Sequence, residues 1–150
     1  MPEPETLERA EHDKEEGKAP STQAGEFVKE EMDHIREGKH GARSTKQAIA
    51  IGLSKARRAG VKLKPPAKGK TSARTRKQAA RDTAKGRSGA KKKTSARRSR
   101  ATENALKREG RSAASRKSLS KQAKSAAKKR SASSRSAAAK KAARTRKRAA

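Results

Sequence analysis

The sequence predicts a mostly disordered, all-α chain: a short αα-hairpin at about residues 24–59, then a low-complexity Ala/Lys/Ser/Arg tail with transient or induced helices. Three observations carry this expectation. The 150 residues bear a formal net charge of +29, with 29% hydrophobic residues and a single aromatic, Phe27. Low hydrophobicity combined with high net charge leaves too little apolar surface to offset chain entropy. Apolar periodicity of the helical kind is confined to residues 24–59, and 37 of the 40 residues in 111–150 are Ala, Ser, Lys or Arg.

Residues 1–23 read as an acidic polar leader, transiently helical over 5–18. The opening Met1-Pro2-Glu3-Pro4-Glu5 lacks the apolar stretch of a signal peptide, and no apolar run approaches the ~18 residues of a membrane span. Residues 24–60 form the expected hairpin. Ala24, Phe27, Val28, Met32 and Ile35 share one broad helical face, and Gly38 ends that helix. Ser44-Thr45-Lys46-Gln47 is a capping-box pattern that opens a second helix. On it Ala48, Ile49, Gly52, Leu53, Ala56 and Ala59 make a stripe, while Ile51 points away. Arg57 and Arg58 suit the C-terminal dipole, and Gly60 suits the end of the helix. The expected core is Phe27, Val28, Met32, Ile35, Ile49, Leu53 and Ala56. The hairpin is expected to be marginal by itself and to dimerise or become firm on a partner, with Ile51 as a contact.

Residues 61–70 read as a linker, because Pro65-Pro66 blocks helix propagation. Residues 71–150 read as a basic, repetitive, disordered tail. Thr71-Ser72-Ala73-Arg74 recurs as Thr94-Ser95-Ala96-Arg97, an echo too loose for a solenoid.

Charge is divided unevenly. Residues 1–40 carry 12 acidic and 6 basic side chains, whereas residues 41–150 carry 38 basic side chains and three acidic ones, Asp82, Glu103 and Glu109. Such asymmetry points to a polyanion-binding arm. Neutralising 8–10 phosphates would give a log–log salt slope of about −7 to −9. Base readout is not supported: zinc-finger spacing is missing, and so are the aromatics that stack single-stranded bases. The expected nucleic-acid contacts are Lys46, Lys55, Arg57 and Arg58 on the hairpin. In the tail they are Arg74, Arg76, Lys77, Arg81, Lys91, Lys92, Lys93, Arg97, Arg98, Arg100, Lys128, Lys129, Arg130, Lys140, Lys141, Arg144, Arg146, Lys147 and Arg148. The hairpin can be drawn as a crude helix-turn-helix, but an amphipathic helix with a solvated basic face is the favoured reading.

Catalytic chemistry finds little support. No nucleophile–base pair, phosphate loop or carboxylate cleft stands out, and there are no cysteines. Glu31, His34 and His40 can be drawn as a metal set, yet ordinary helical surface pairs explain them better. The expectation is a non-enzyme with no metal, no cofactor and no small-molecule substrate.

Two resemblances add to this. The stretches Phe27-Val28-Lys29-Glu30-Glu31-Met32, Gly38-Lys39-His40-Gly41, and Ser44-Thr45-Lys46-Gln47-Ala48-Ile49-Ala50-Ile51-Gly52-Leu53-Ser54-Lys55-Ala56-Arg57-Arg58-Ala59-Gly60 resemble a small, largely uncharacterised bacterial family. Its members share a KQAIAI-L-KAR-AG core and often carry a basic tail, and some are labelled DNA-binding or plasmid-stabilisation proteins. This resemblance implies a bacterial source and transfers no catalytic residue. The segment 67–150 is similar in composition to the tails of linker histones and bacterial histone-H1-like proteins. Their winged-helix domain has no counterpart here, so nucleosome recognition is not implied.

The functional expectation is therefore a sequence-nonspecific, nucleoid-associated architectural DNA binder in the cytoplasm, with duplex DNA favoured over RNA, no membrane contact, and homodimerisation through the hairpin. The alternatives are an RNA- or ribosome-associated basic protein, and a protein–protein adaptor acting through the hairpin.

Overall fold

The computed structural model describes residues 1–89 and 95–149. Among the described residues, 73% are helical and none is in a strand. The helices are α1 (Pro4–Glu15), α2 (Pro20–Glu37), α3 (Thr45–Arg58), α4 (Ala73–Ser88), α5 (Ala96–Lys107), α6 (Arg116–Lys128) and α7 (Ala132–Ala149), with a 3-10 turn at Ser112–Ala114. This corrects the expectation of a mostly disordered chain with a low-complexity tail, since α1 and α4–α7 lie in the segments expected to lack stable structure.

The physical reason is that the disorder argument weighed apolar burial alone. Ala, Lys and Arg are strong helix formers, and a helix closes its backbone hydrogen bonds within itself. Serines open two of these helices as N-caps. Ser72 Oγ accepts from the Thr75 amide at 3.2 Å, and Ser131 Oγ from the Ser134 amide at 3.2 Å.

The chain forms two compact units, Met1–Ser115 and Arg116–Ala150. In the first, α2 and α3 are the expected hairpin. Gly38 ends α2 in the left-handed conformation at φ +82°, a geometry glycine adopts without a Cβ clash. Ser44 Oγ accepts from the Gln47 amide at 3.3 Å, and Gln47 Oε1 reaches back to the Arg43 amide at 2.9 Å. Phe27, Met32, Ile35, Ala48 and Ala56 are buried, while Val28, Ile49 and Leu53 are half-buried. Ala10 of α1 joins Ala24, Phe27 and Ala56, and Val61 and Leu63 pack against this cluster from the segment expected to be a linker.

Helix α3 is approached closely on two sides. A Cβ at Gly52 would come within 2.7 Å of Val28 Cα and 2.9 Å of the Phe27 carbonyl oxygen, so α2 crosses α3 there. A Cβ at Gly86 of α4 would run into the Arg57 carbonyl. Asp82 fixes α4 from the same side: it is 1% exposed and accepts from Ser54 Oγ (2.6 Å), Arg58 Nε (3.0 Å) and Gln78 Nε2 (3.1 Å). Ile51 is half-buried and shares, by helical spacing, the face of Ser54 and Arg58. The face expected to meet a partner is thus the one this chain uses to hold its own α4.

Two alanine substitutions should move stability in opposite directions. Gly52→Ala gains up to ~1 kcal/mol of helix propensity but overpacks backbone on backbone, which typically costs about 1–3 kcal/mol. The clash should win, lowering the urea midpoint. Gly25, in α2, has nothing within 4 Å of where a Cβ would stand, so Gly25→Ala should raise the midpoint, with a gain of roughly 0.5–1 kcal/mol in stability.

Residues 106–114 close the turn between α2 and α3. The Gly41 amide donates to the Leu106 carbonyl (2.9 Å), the Ala42 amide to the Gly110 carbonyl (3.1 Å), and Thr45 Oγ1 to the Ala113 carbonyl (2.6 Å).

Candidate functional site

The basic side chains expected to touch nucleic acid fall into three groups. Some are committed to the fold. Lys55 is half-buried between two carboxylates, with Nζ at 2.9 Å from Glu30 Oε1 and 2.8 Å from Glu31 Oε2. Arg57 is 7% exposed, and its Nη1 donates to the Leu53 carbonyl at 3.5 Å. Burial holds the Arg57 guanidinium below its ordinary pKa, only partly countered by Asp82. Arg58 binds Asp82 and, through Nη2, Ser54 Oγ at 2.6 Å.

A second group lies exposed: Lys46 on α3, Arg74, Lys77 and Arg81 on α4, Arg97, Arg98 and Arg100 on α5, and, in the second unit, Lys128 on α6, Lys129 and Arg130 in the turn after it, and Lys140, Lys141, Arg144, Arg146, Lys147 and Arg148 on α7. Arg76 is half-buried. Lys91, Lys92 and Lys93 lie outside the described residues.

Helix formation brings several of these into rows. At about 100° per residue, Lys117, Lys121, Lys124 and Lys128 of α6 fall within an arc of roughly 60°. Leu119, the large apolar residue of α6, lies on the opposite side and is half-buried. On α7, Lys140, Lys141, Arg144, Lys147 and Arg148 share an arc of about 120°. On α4, Arg74, Lys77, Arg81 and Lys85 form a row roughly opposite the packed face of Ala79, Asp82 and Gly86. Sequence reasoning passed over Lys85, Lys117, Lys121 and Lys124. Their signal was a spacing of i, i+4, i+7, i+11 on α6 and i, i+3, i+7, i+11 on α4, which carries no meaning until the segment is helical.

A polar junction joins α1, α2 and α3. Glu30, 3% exposed, caps the start of α1: its Oε2 accepts from the Glu3 amide at 3.3 Å. Burial alone would raise the Glu30 carboxyl, but Lys55, Thr6 and the Glu3 amide together hold it below the ordinary 4.5. Glu3 accepts from His34 and from Lys39, at 2.8 Å and 3.0 Å, and these bonds bring its carboxyl down to about 2. Burial opposes the charge on Lys55, yet Glu31 and Glu30 raise it above its ordinary value. The Glu31 Oε2 contact is ionic and not an aligned hydrogen bond. His40 Nε2 lies 3.0 Å from Glu31 Oε1.

Glu31 and His34 were expected to be surface residues. The structure instead places Glu31 at 1% exposure, with His34 and His40 mostly covered. Much of the acidic charge of residues 1–40 is spent locally, on Arg9 (Glu26, 2.8 Å), Lys18 (Asp13, 2.8 Å), Lys39 and Lys55.

Among the described residues no helix is long and apolar enough to cross a membrane. No curated protein and no solved structure matches the chain. Residues 17–69, which contain α2, α3 and the Glu30–Lys55 part of the junction, match the model of a family of unknown function, DUF6496, and it is to this uncharacterised family that the segment is similar.

Proposed function

We propose that this chain binds nucleic acid without sequence preference, with duplex DNA as the first substrate, and acts as an architectural protein of the nucleoid. The supporting observation is the second unit. Residues 116–150 hold 14 Lys or Arg and no acidic residue, and α6 and α7 array them in exposed rows. Phosphate contact needs such rows and little else, because phosphate contacts position a protein without reading bases. The row on α4 extends the same chemistry to the first unit. No reaction is assigned.

A gel shift on random duplexes tests this. Equal affinity for scrambled sequences at about 50 mM salt is expected, and absence of binding at that salt sinks the reading. Crosslinking in cells followed by DNase or RNase separates the two polymers. Loss of the adduct with RNase alone would replace DNA by RNA.

A further inference from the structure

We propose that Glu31, His34 and His40 form a binding site for a divalent transition-metal ion of the zinc class. One ligand atom from each residue lies within 4.8 Å of the other two. A tetrahedral zinc site, with bonds of about 2.0–2.2 Å, places ligand atoms ~3.3 Å apart. His40 Nε2 and Glu31 Oε1 are already 3.0 Å apart, so closing the set takes small side-chain rotations.

The local structure explains why the three residues converge. Glu31 and His34 are three residues apart on α2 and so lie on one face. Gly38 then reverses the chain in its left-handed cap, and the following turn brings His40 back over that face. The two imidazoles meet edge to face, 5.9 Å apart at 87°.

The hydrogen bonds around the rings are those that orient metal-bound histidines. His40 Nδ1 lies 3.1 Å from the Gly41 carbonyl oxygen. A carbonyl oxygen only accepts, so Nδ1 supplies the proton of this bond, and Nε2 is the ring nitrogen turned to the Glu31 carboxylate. Nε2 lies 3.0 Å from Glu31 Oε1, a spacing that a shared proton or a metal ion taking both atoms as ligands can bridge. His34 Nε2 has the Glu3 carboxylate at 2.8 Å. A backbone carbonyl behind one imidazole and a carboxylate beside the other match the outer shell of metal-binding histidines. Lys55 occupies Glu31 Oε2, leaving Oε1 for a monodentate contact. Two imidazoles and one carboxylate suit zinc, copper or nickel better than calcium or magnesium.

A second group, His12, Asp13 and Glu16, has comparable spacing. It is largely exposed, and the Lys18 ammonium already bridges Asp13 and Glu16. It serves as the internal control.

The test uses the full chain, stripped with a chelator and titrated with Co2+, whose tetrahedral complexes absorb in the visible. One equivalent should generate the band, and Zn2+ should remove it. His34→Gln and His40→Gln should each abolish the band with helicity retained in far-UV circular dichroism, and His12→Gln should bind as the parent does. Failure to take up either metal overturns the proposal and leaves an imidazolium–carboxylate ion pair. Uptake unchanged by both His34→Gln and His40→Gln places the metal elsewhere and also overturns it. Should these variants unfold, the unmodified protein decides: Zn2+ must protect His34 and His40, but not His12, from diethyl pyrocarbonate in peptide mass maps.

Discussion

Lys55→Met should destabilise the first unit by about 3–5 kcal/mol, the magnitude typical of removing one partner from a buried ion pair. The reason lies in what remains. Glu30 and Glu31 are 3% and 1% exposed and share this one ammonium. Methionine fills the volume and leaves two adjacent buried carboxylates without it. Urea unfolding followed by far-UV circular dichroism reads the change. Adding Glu30→Gln and Glu31→Gln to Lys55→Met should recover much of the loss, because neutral amides are far less costly to bury than unpaired carboxylates. A Lys55→Met protein as stable as the parent would show that Lys55 is not the counterion of this junction.

The second large effect concerns binding. A protein making 6–10 phosphate contacts loses about 10³–10⁵ in duplex affinity between roughly 50 and 200 mM salt. The proposed function places this chain in that class. Converting Lys117, Lys121, Lys124 and Lys128 to Gln removes one row and leaves α6 helix-compatible. If all four touch phosphate, the log–log slope should become shallower by about 3.6, at 0.9 per contact. Fluorescence anisotropy against salt measures it. A slope unchanged by the four substitutions would remove α6 from the interface. Lys55→Gln is the contrasting case, since a buried lysine should not alter the slope of the folded fraction.

These two results depend on a distinction the sequence carries only in part. The α2–α3 pair was legible, because Phe27, Ile35, Ala48 and Ala56 recur at helical spacing and because glycine and serine mark the ends. The junction was legible in principle. Glu31 falls in the middle of the Ala24–Phe27–Val28–Ile35 stripe, and Lys55 falls between Gly52 and Ala59 on the facing one. An acid and a base at matching core positions signal a buried pair, yet Lys55 reads as one more DNA contact when charges are only counted. The docking of α1 and α4 was not legible. It depends on Glu30 meeting the Glu3 amide and on Asp82 meeting Ser54 and Arg58, contacts between residues 24 to 28 apart in sequence. Nor were α6 and α7, because a tail of Ala, Ser, Lys and Arg offers no apolar period to follow. Their helices rest on propensity and capping, which the disorder argument does not weigh.

The rows on α6 and α7 have a further consequence, since salt must act on them with two signs. Lysines one turn apart on a helix repel one another, and residues 116–150 contain no acid to relieve them. Screening that self-repulsion should firm the unbound helices at the same ionic strengths that weaken their grip on phosphate. A bound polyanion relieves the same strain from outside. Nucleic acid and simple salt are therefore competitors for one electrostatic task, and the helicity of this unit is coupled to whichever performs it.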